Sequence, residues 1–486
     1  MYKYNQYPRI SRRYQRHRRM MMKRVIVTVA CIGLGAGIFA GGRFLLQNFI
    51  NNRGPVIDTV HLTETSETTD PAASETDISQ ASESNGREEI IVIEVPAEPL
   101  LLEAAALAAG YDYDAAIDLL KSDESLSENA EIRAAVRQYE EEQAALIPVD
   151  YHEVTHIFFH SLIMDNQKAF DGDYKTADYN QVMTTADEFI KIMEAMYEKG
   201  YVLVRLRDLA YESTDENGNP VMVAGNIMLP EGKKAFVLSQ DDVNYYDYMK
   251  GDGYASRIMI GEDGKPTCEM LMEDGSVSTG DYDLVPILEK FIAEHPGFSY
   301  KGARAVLALT GYEGILGYRT APGYADSPTY EQDCADAAKV AGALRDQGWE
   351  LASHSWGHPD LGKVSYERFK TDSDKWKNEV EPLIGPTDIM IYPFGGDVGD
   401  WHPYAESNER YQYLYAQGFR YFCNVDSNQY WVQLGSRYLR QGRRNLDGYR
   451  MWKDITATDP AKRKLDDLFR AEDIFDSDRP TPVAEM

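Results

Sequence analysis

The sequence predicts an α/β protein with a mainly parallel sheet, and three observations predict it. Between residues 149 and 455, stretches with helical periodicity alternate with short apolar runs. These runs are too short for helices and lack the polar alternation of a half-exposed strand, so they read as strands buried on both faces. Several run straight into charged or Gly/Pro clusters, as strands do where they deliver side chains to one end of a sheet.

Within this domain the pattern predicts helices over 184–199, 282–294, 330–347 and 366–383, and strands over 202–204, 236–238, 305–309, 349–352 and 389–392. His156 to His160 is a further strand-like run, and the Gly/Asp-rich stretch 251–280 predicts an inserted hairpin or loop. Upstream, the Leu/Ala-rich segment 99–148 predicts two or three helices packed as a lead-in on the larger domain. A single tetratricopeptide-like unit there could not bury its own face. Residues 47–98 are rich in Thr, Ser, Glu and Asp and predict a disordered linker. Residues 1–24 contain nine Lys/Arg and no acidic residue and precede the apolar span 25–46. That pattern predicts a basic cytoplasmic tail and a transmembrane signal anchor. It implies a single-pass plasma-membrane protein with its C-terminal domain extracellular; a cleaved signal peptide ending near Ala40 is the alternative. Residues 456–486 read as an acidic C-terminal tail.

After residue 24 the chain carries 41 basic and 79 acidic side chains, a net −38, which excludes nucleic acid as a natural partner. The four cysteines show no framework of paired spacings.

Chemistry concentrates at three strand ends. His354 and His358 follow the apolar run Glu350-Leu351-Ala352, and a four-residue spacing on a helical turn brings both imidazoles to one face, within reach of one ion. Alone, the pair reads equally as two hydrogen-bonded loop histidines. The run Ala235–Leu238 leads into Asp241-Asp242. Beside a cation, adjacent carboxylates can divide the labour, one binding the ion and the other taking a proton; alone they make a solvated turn. Finally, Met390-Ile391-Tyr392 meets the turn Pro393-Phe394-Gly395, which can aim a backbone N–H at a developing oxyanion. Tyr245, Tyr246, Tyr248 and Trp356 lie near these motifs and suit either a glycan groove or packing.

Asp-Asp, then His-Ser-x-x-His, then Pro-Phe-Gly, in that order, resembles the polysaccharide deacetylase family, the NodB-homology or carbohydrate esterase family 4 domain, from about residue 150 to about 455. The resemblance implies an incomplete, distorted (β/α) barrel, preceded here by the transmembrane helix and the small helical segment. It implies Asp241 as general base, and Asp242, His354 and His358 as ligands of a divalent metal, zinc, with cobalt or a similar ion as the alternative. Ser355 would steady the loop and the Phe394 N–H would complete an oxyanion hole. Ser355, Trp356, Pro393 and Tyr245 are expected at the substrate, an N-acetylated polysaccharide such as peptidoglycan or an N-acetylglucosamine polymer.

The sequence also departs from the family pattern. Ile391 stands where an arginine belongs, and the Leu-x-His of the last motif is replaced by Leu439-Arg440-Gln441. The fourth motif is echoed only as Asp426 to Tyr430, with Trp431 adjacent. Arg440, Arg443 or Arg319 can fill the arginine's place in space, and His402 or His160 that of the missing acid. The alternative to an enzyme is a catalytically degraded domain that binds glycan or a protein partner at the cell surface.

Overall fold

The computed structural model describes residues 97–485. The expected basic tail, the anchor at 25–46 and the linker up to residue 96 lie outside them. Seven parallel strands form the centre: β1 (Thr155–Phe159), β2 (Lys234–Gln240), β3 (Val306–Leu309), β4 (Glu350–Ser353), β5 (Ile389–Ile391), β6 (Tyr421–Val425) and β7 (Leu439–Asn445). Each pairs with the next, and β7 pairs with β1. The ring is therefore closed, which corrects the expectation of an incomplete barrel. Closure rests on short seams: Val306↔Ser239 and Leu307↔Gln240 join β3 to β2, and β4 meets β5 only at Ser353↔Met390. Three- and four-residue strands such as β5 and β3 can still complete a barrel where they meet the mouth ends of their neighbours.

Alternation along each strand sorts the side chains. On β1, Ile157 and Phe159 pack outward with Phe236 and Leu238 of β2 against the helical layer. His156 and Phe158 face the lumen, where the His156 Nε2 lies 3.0 Å from Ser239 Oγ and its Nδ1 3.2 Å from Gln441 Oε1. Helices α4 (Ala186–Glu198), α5 (Leu284–Glu294), α6 (Tyr330–Asp346) and α7 (Tyr366–Glu379) cover the outside with Phe189, Leu288, Val340 and Trp376. Helix α4 starts with a reciprocal capping box between Thr185 and Glu188.

Helices α1 (Ala97–Ala109), α2 (Tyr113–Lys121) and α3 (Ala130–Ala144) share a buried cluster with Val154 and Ala235 at the strand starts and with the inward-facing Ala308 and Ile391. They pack against the barrel end opposite the motifs. The stretch 251–280 forms a three-stranded antiparallel sheet, Ala255–Ile260, Pro266–Leu271 and Val277–Gly280. The C-terminal stretch 456–485 runs back over the domain and buries Leu465, Leu468, Phe469 and Ile474 in the outer core. It ends in a fully buried grip: the Arg479 Nε and Nη2 each donate to Glu188 at 2.6 Å, while Nη1 and Nη2 donate to the carbonyls of Asn180 (3.0 Å) and Met183 (2.7 Å).

The localisation expected from the sequence, a single-pass plasma-membrane protein, is corrected here. Among the described residues no helix is long and apolar enough to cross a membrane, because the helices carry one apolar stripe facing the barrel and a charged face away from it.

Candidate active site

The three motifs converge at the C-terminal mouth of the barrel. Asp241 and Asp242 follow β2, His354 to His358 follow β4, and Pro393-Phe394-Gly395 follows β5. One ligand atom each from Asp242, His354 and His358 falls within 4.8 Å of the others. The His358 Nε2 is 3.7 Å from Asp242 Oδ2, and the two imidazole rings are 4.9 Å apart.

The supporting bonds leave these donor atoms free for an ion. The His354 Nδ1 lies 2.8 Å from the Ile391 carbonyl, which can only accept, so the hydrogen sits on Nδ1 and Nε2 presents its lone pair. The Tyr246 hydroxyl donates to Asp242 Oδ1 at 2.7 Å, leaving Oδ2 toward His358. Two imidazole nitrogens and one carboxylate oxygen, with His354 and Asp242 each oriented by a second group, fit zinc or a similar divalent ion and leave positions open. Burial pulls His354 down to about 4, against the raising effect of Asp241 and Asp242, which keeps it in the neutral form a metal requires.

Backbone strain is concentrated here. Asp242, Ser355, His358 and Phe394 are four of the eight non-glycine residues with positive φ among the described residues, with values from 52° to 61°. Each such conformation costs roughly 1–2 kcal/mol. Strand-end loops held in this way turn neighbouring side chains toward one point.

Of the three arginines offered in place of the missing one, Arg443 of β7 reaches Asp241. Its Nη1 and Nη2 donate to the two oxygens of Asp241 at 2.6 and 2.9 Å, and both side chains are buried. The guanidinium also donates to Ser239 Oγ and the Asn424 carbonyl and lies 4.2 Å from the centre of the Phe158 ring. Burial alone would raise the Asp241 carboxyl, but the charges of Arg443 and then His354 outweigh it and hold the group well below the usual carboxylate range. Asp242 is likewise lowered, its burial overcome by His358, His354 and His160. Arg440 is spent on Asp397 at 2.8 Å, and Arg319 on Asp247 at 2.8 Å.

The remaining expected residues divide. Phe394 is 69 % exposed, with its ring 4.5 Å from that of His358, and it borders a groove of about 450 Å³. Trp401, 73 % exposed, Trp431 and the carboxylates of Asp360, Asp400 and Asp426 line the same groove. Trp356 is half-buried, donating from Nε1 to Glu379 at 2.6 Å beneath the Lys375 ammonium. Tyr245, Ser355 and Pro393 are buried, which corrects their assignment to the substrate. Positive φ at Tyr245 and Ser355 folds both side chains under their loops, and the Tyr245 hydroxyl donates to Asp283 at 2.6 Å. Pro393 forms the buried start of its turn. Sequence reasoning did not foresee the part of Tyr246, although its position four residues after Asp242 was a signal.

The family model for polysaccharide deacetylase matches residues 322–413. No curated protein matches the chain. Among solved structures, the Streptococcus pyogenes deacetylase PplD in complex with acetate is similar at 15% identity, with 61% of this chain and 92% of that one covered and a TM-score of 0.33. A Bacillus anthracis protein described as a polysaccharide deacetylase is similar at 11% identity, covering 66% of this chain and 69% of that one, with a TM-score of 0.34. The matched segment contains His354, His358 and the Pro393-Phe394-Gly395 turn, and over that segment the chain is similar to the polysaccharide deacetylase family.

Proposed function

We propose that this protein is a metal-dependent hydrolase that removes N-acetyl groups from cell-wall or extracellular polysaccharide, either peptidoglycan or an N-acetylglucosamine polymer. The observation that carries the reading is the buried Asp241–Arg443 pair beside the Asp242, His354 and His358 donor set. A divalent ion bound there, zinc or a cobalt-like ion, would acidify a water and polarise the acyl oxygen. Asp241 accepts the proton of the attacking water. Arg443 keeps that carboxylate ionised and aimed, at some cost in basicity, since the bidentate grip fixes both oxygens. The Phe394 N–H serves the developing oxyanion, and the exposed faces of Phe394 and Trp401 receive the apolar faces of sugar rings.

The alternative, a degraded domain that only binds glycan or a partner, draws on the missing arginine at position 391. The presence of Arg443 on Asp241 weighs against it. The test is to incubate the protein with zinc or cobalt and either chitin oligomers or peptidoglycan, and to measure acetate. Release that vanishes in Asp241→Asn supports the enzyme; tight metal binding with no release from either substrate sinks it.

A further inference from the structure

Amide hydrolysis needs a proton for the departing nitrogen, and the family's usual histidine is absent from β7. We propose that His160, at the mouth end of β1, hands that proton to the sugar nitrogen. The inference rests on the deacetylase reading of the site and adds a catalytic residue to it.

The strand register places His160 between two carboxylates. Strand β1 pairs with β2 on one side, ending at Phe159↔Gln240, so His160 comes next across from Asp241. On the other side the last pair is Phe158↔Asn445, and two further residues along each chain bring His160 level with Asp447. Alternation puts His160 on the face of His156 and Phe158, the lumen face, with its ring 5.9 Å from that of Phe158. Arg443 packs on that same Phe158 ring, so the imidazole and the guanidinium share one neighbour.

The tautomer is set by a fixed partner. The His160 Nδ1 lies 3.1 Å from the Val182 carbonyl, an acceptor only, so Nδ1 carries a hydrogen and Nε2 remains for the mouth. The carboxylates within electrostatic reach of the ring are those of Asp241, Asp242 and Asp447, the last raised by its burial. Asp447 is buried and anchored by Asn445 Nδ2 at 2.6 Å and the Arg450 N–H at 2.7 Å. His402, the other histidine the sequence offers, stands at an exposed rim with its Nδ1 3.0 Å from Asp400.

The proton balance closes. Water gives a hydroxyl to the acyl carbon and a proton to Asp241. The breaking carbon–nitrogen bond leaves its electron pair on nitrogen, which takes the proton from His160 Nε2, and the acyl group departs as acetic acid. The imidazole ends neutral and Asp241 protonated; passage of that proton to the imidazole, directly or through solvent, restores both.

The experiment compares His160→Gln with the wild type, in the zinc-loaded full chain, on a chitin oligomer and on 4-nitrophenyl acetate, whose phenolate leaves without needing a proton. Acetate release from the oligomer should fall by about 10²–10⁴. Ester cleavage should change less than about threefold by the same reasoning, because no proton is owed to the leaving group. Zinc affinity, read by chelator competition, should hold. His160→Asn, whose amide can still donate to Val182, is the second variant should the first fail to fold. An oligomer rate within about threefold of wild type overturns the proposal, as does an equal loss on both substrates with zinc affinity intact. A wild type silent on every N-acetyl substrate overturns the deacetylase reading itself, a distinct result.

Discussion

Replacing Arg443 by methionine isolates the pair on which the site depends. The guanidinium is fully buried, and two of its bonds, at 2.6 and 2.9 Å, go to Asp241, whose side chain is 4 % exposed. Arg443→Met leaves that carboxylate buried without a counter-charge and strips donors from Ser239 Oγ and the Asn424 carbonyl. Breaking one partner of such a pair costs about 3–5 kcal/mol. Asp241→Asn strands the arginine in turn, and a similar loss is expected. The double variant removes both charges, so its loss should be smaller than the sum of the two by about 3 kcal/mol, the coupling that a double-mutant cycle extracts. The assay is urea denaturation of the four proteins without metal, followed by far-UV circular dichroism, with equal m-values as the check on two-state behaviour. Losses that add to within about 0.5 kcal/mol would refute the reasoning, since they would mean that the two groups are energetically independent.

Three further outcomes follow from the geometry. Tyr246→Phe removes the hydroxyl on Asp242 Oδ1 and should weaken zinc binding about 10–100-fold while the fold persists; chelator competition measures it, and unchanged affinity would remove Tyr246 from the site. His358→Ala deletes one of three donors and should abolish stoichiometric zinc binding by atomic absorption after dialysis, whereas retained zinc would place the ion elsewhere. Burial, followed by the charge of Arg443, holds the His156 imidazole well below its ordinary range, so the unfolded chain takes up a proton below about pH 6.5 that the folded chain refuses. The stability it contributes is therefore present above that pH and declines as pH falls below it; His156→Gln should flatten this part of the metal-free stability profile.

The parts of the site legible in sequence were those governed by a strand and the turn that follows it. Asp241-Asp242, His354-Ser355-x-x-His358 and Pro393-Phe394-Gly395 each announce themselves because an apolar run ends where the polar residues begin. The substitute for the missing arginine was not legible in this way. Arg443 reaches Asp241 from 202 residues further along the chain, and only barrel closure brings β7 beside β1 and so one strand away from β2. Tyr245 failed as an expected groove residue for a local reason: a left-handed backbone reverses its direction, and composition does not reveal the sign of φ. Closure itself was hidden because two register pairs at the β2–β3 seam leave almost no periodic signal.

Arg479 gives the molecule an order of completion. Its guanidinium holds the carbonyls of Asn180 and Met183, which flank Val182, and the Val182 carbonyl in turn holds the His160 ring. The barrel strands all precede this residue in the chain and are synthesised before it. The mouth is thus finished by a stretch of chain made after every barrel strand. A late stop codon or a proteolytic nick after residue 455 would leave all seven strands in place and yet unset one wall of the site, so an intact barrel and a working one are separate quantities in this protein.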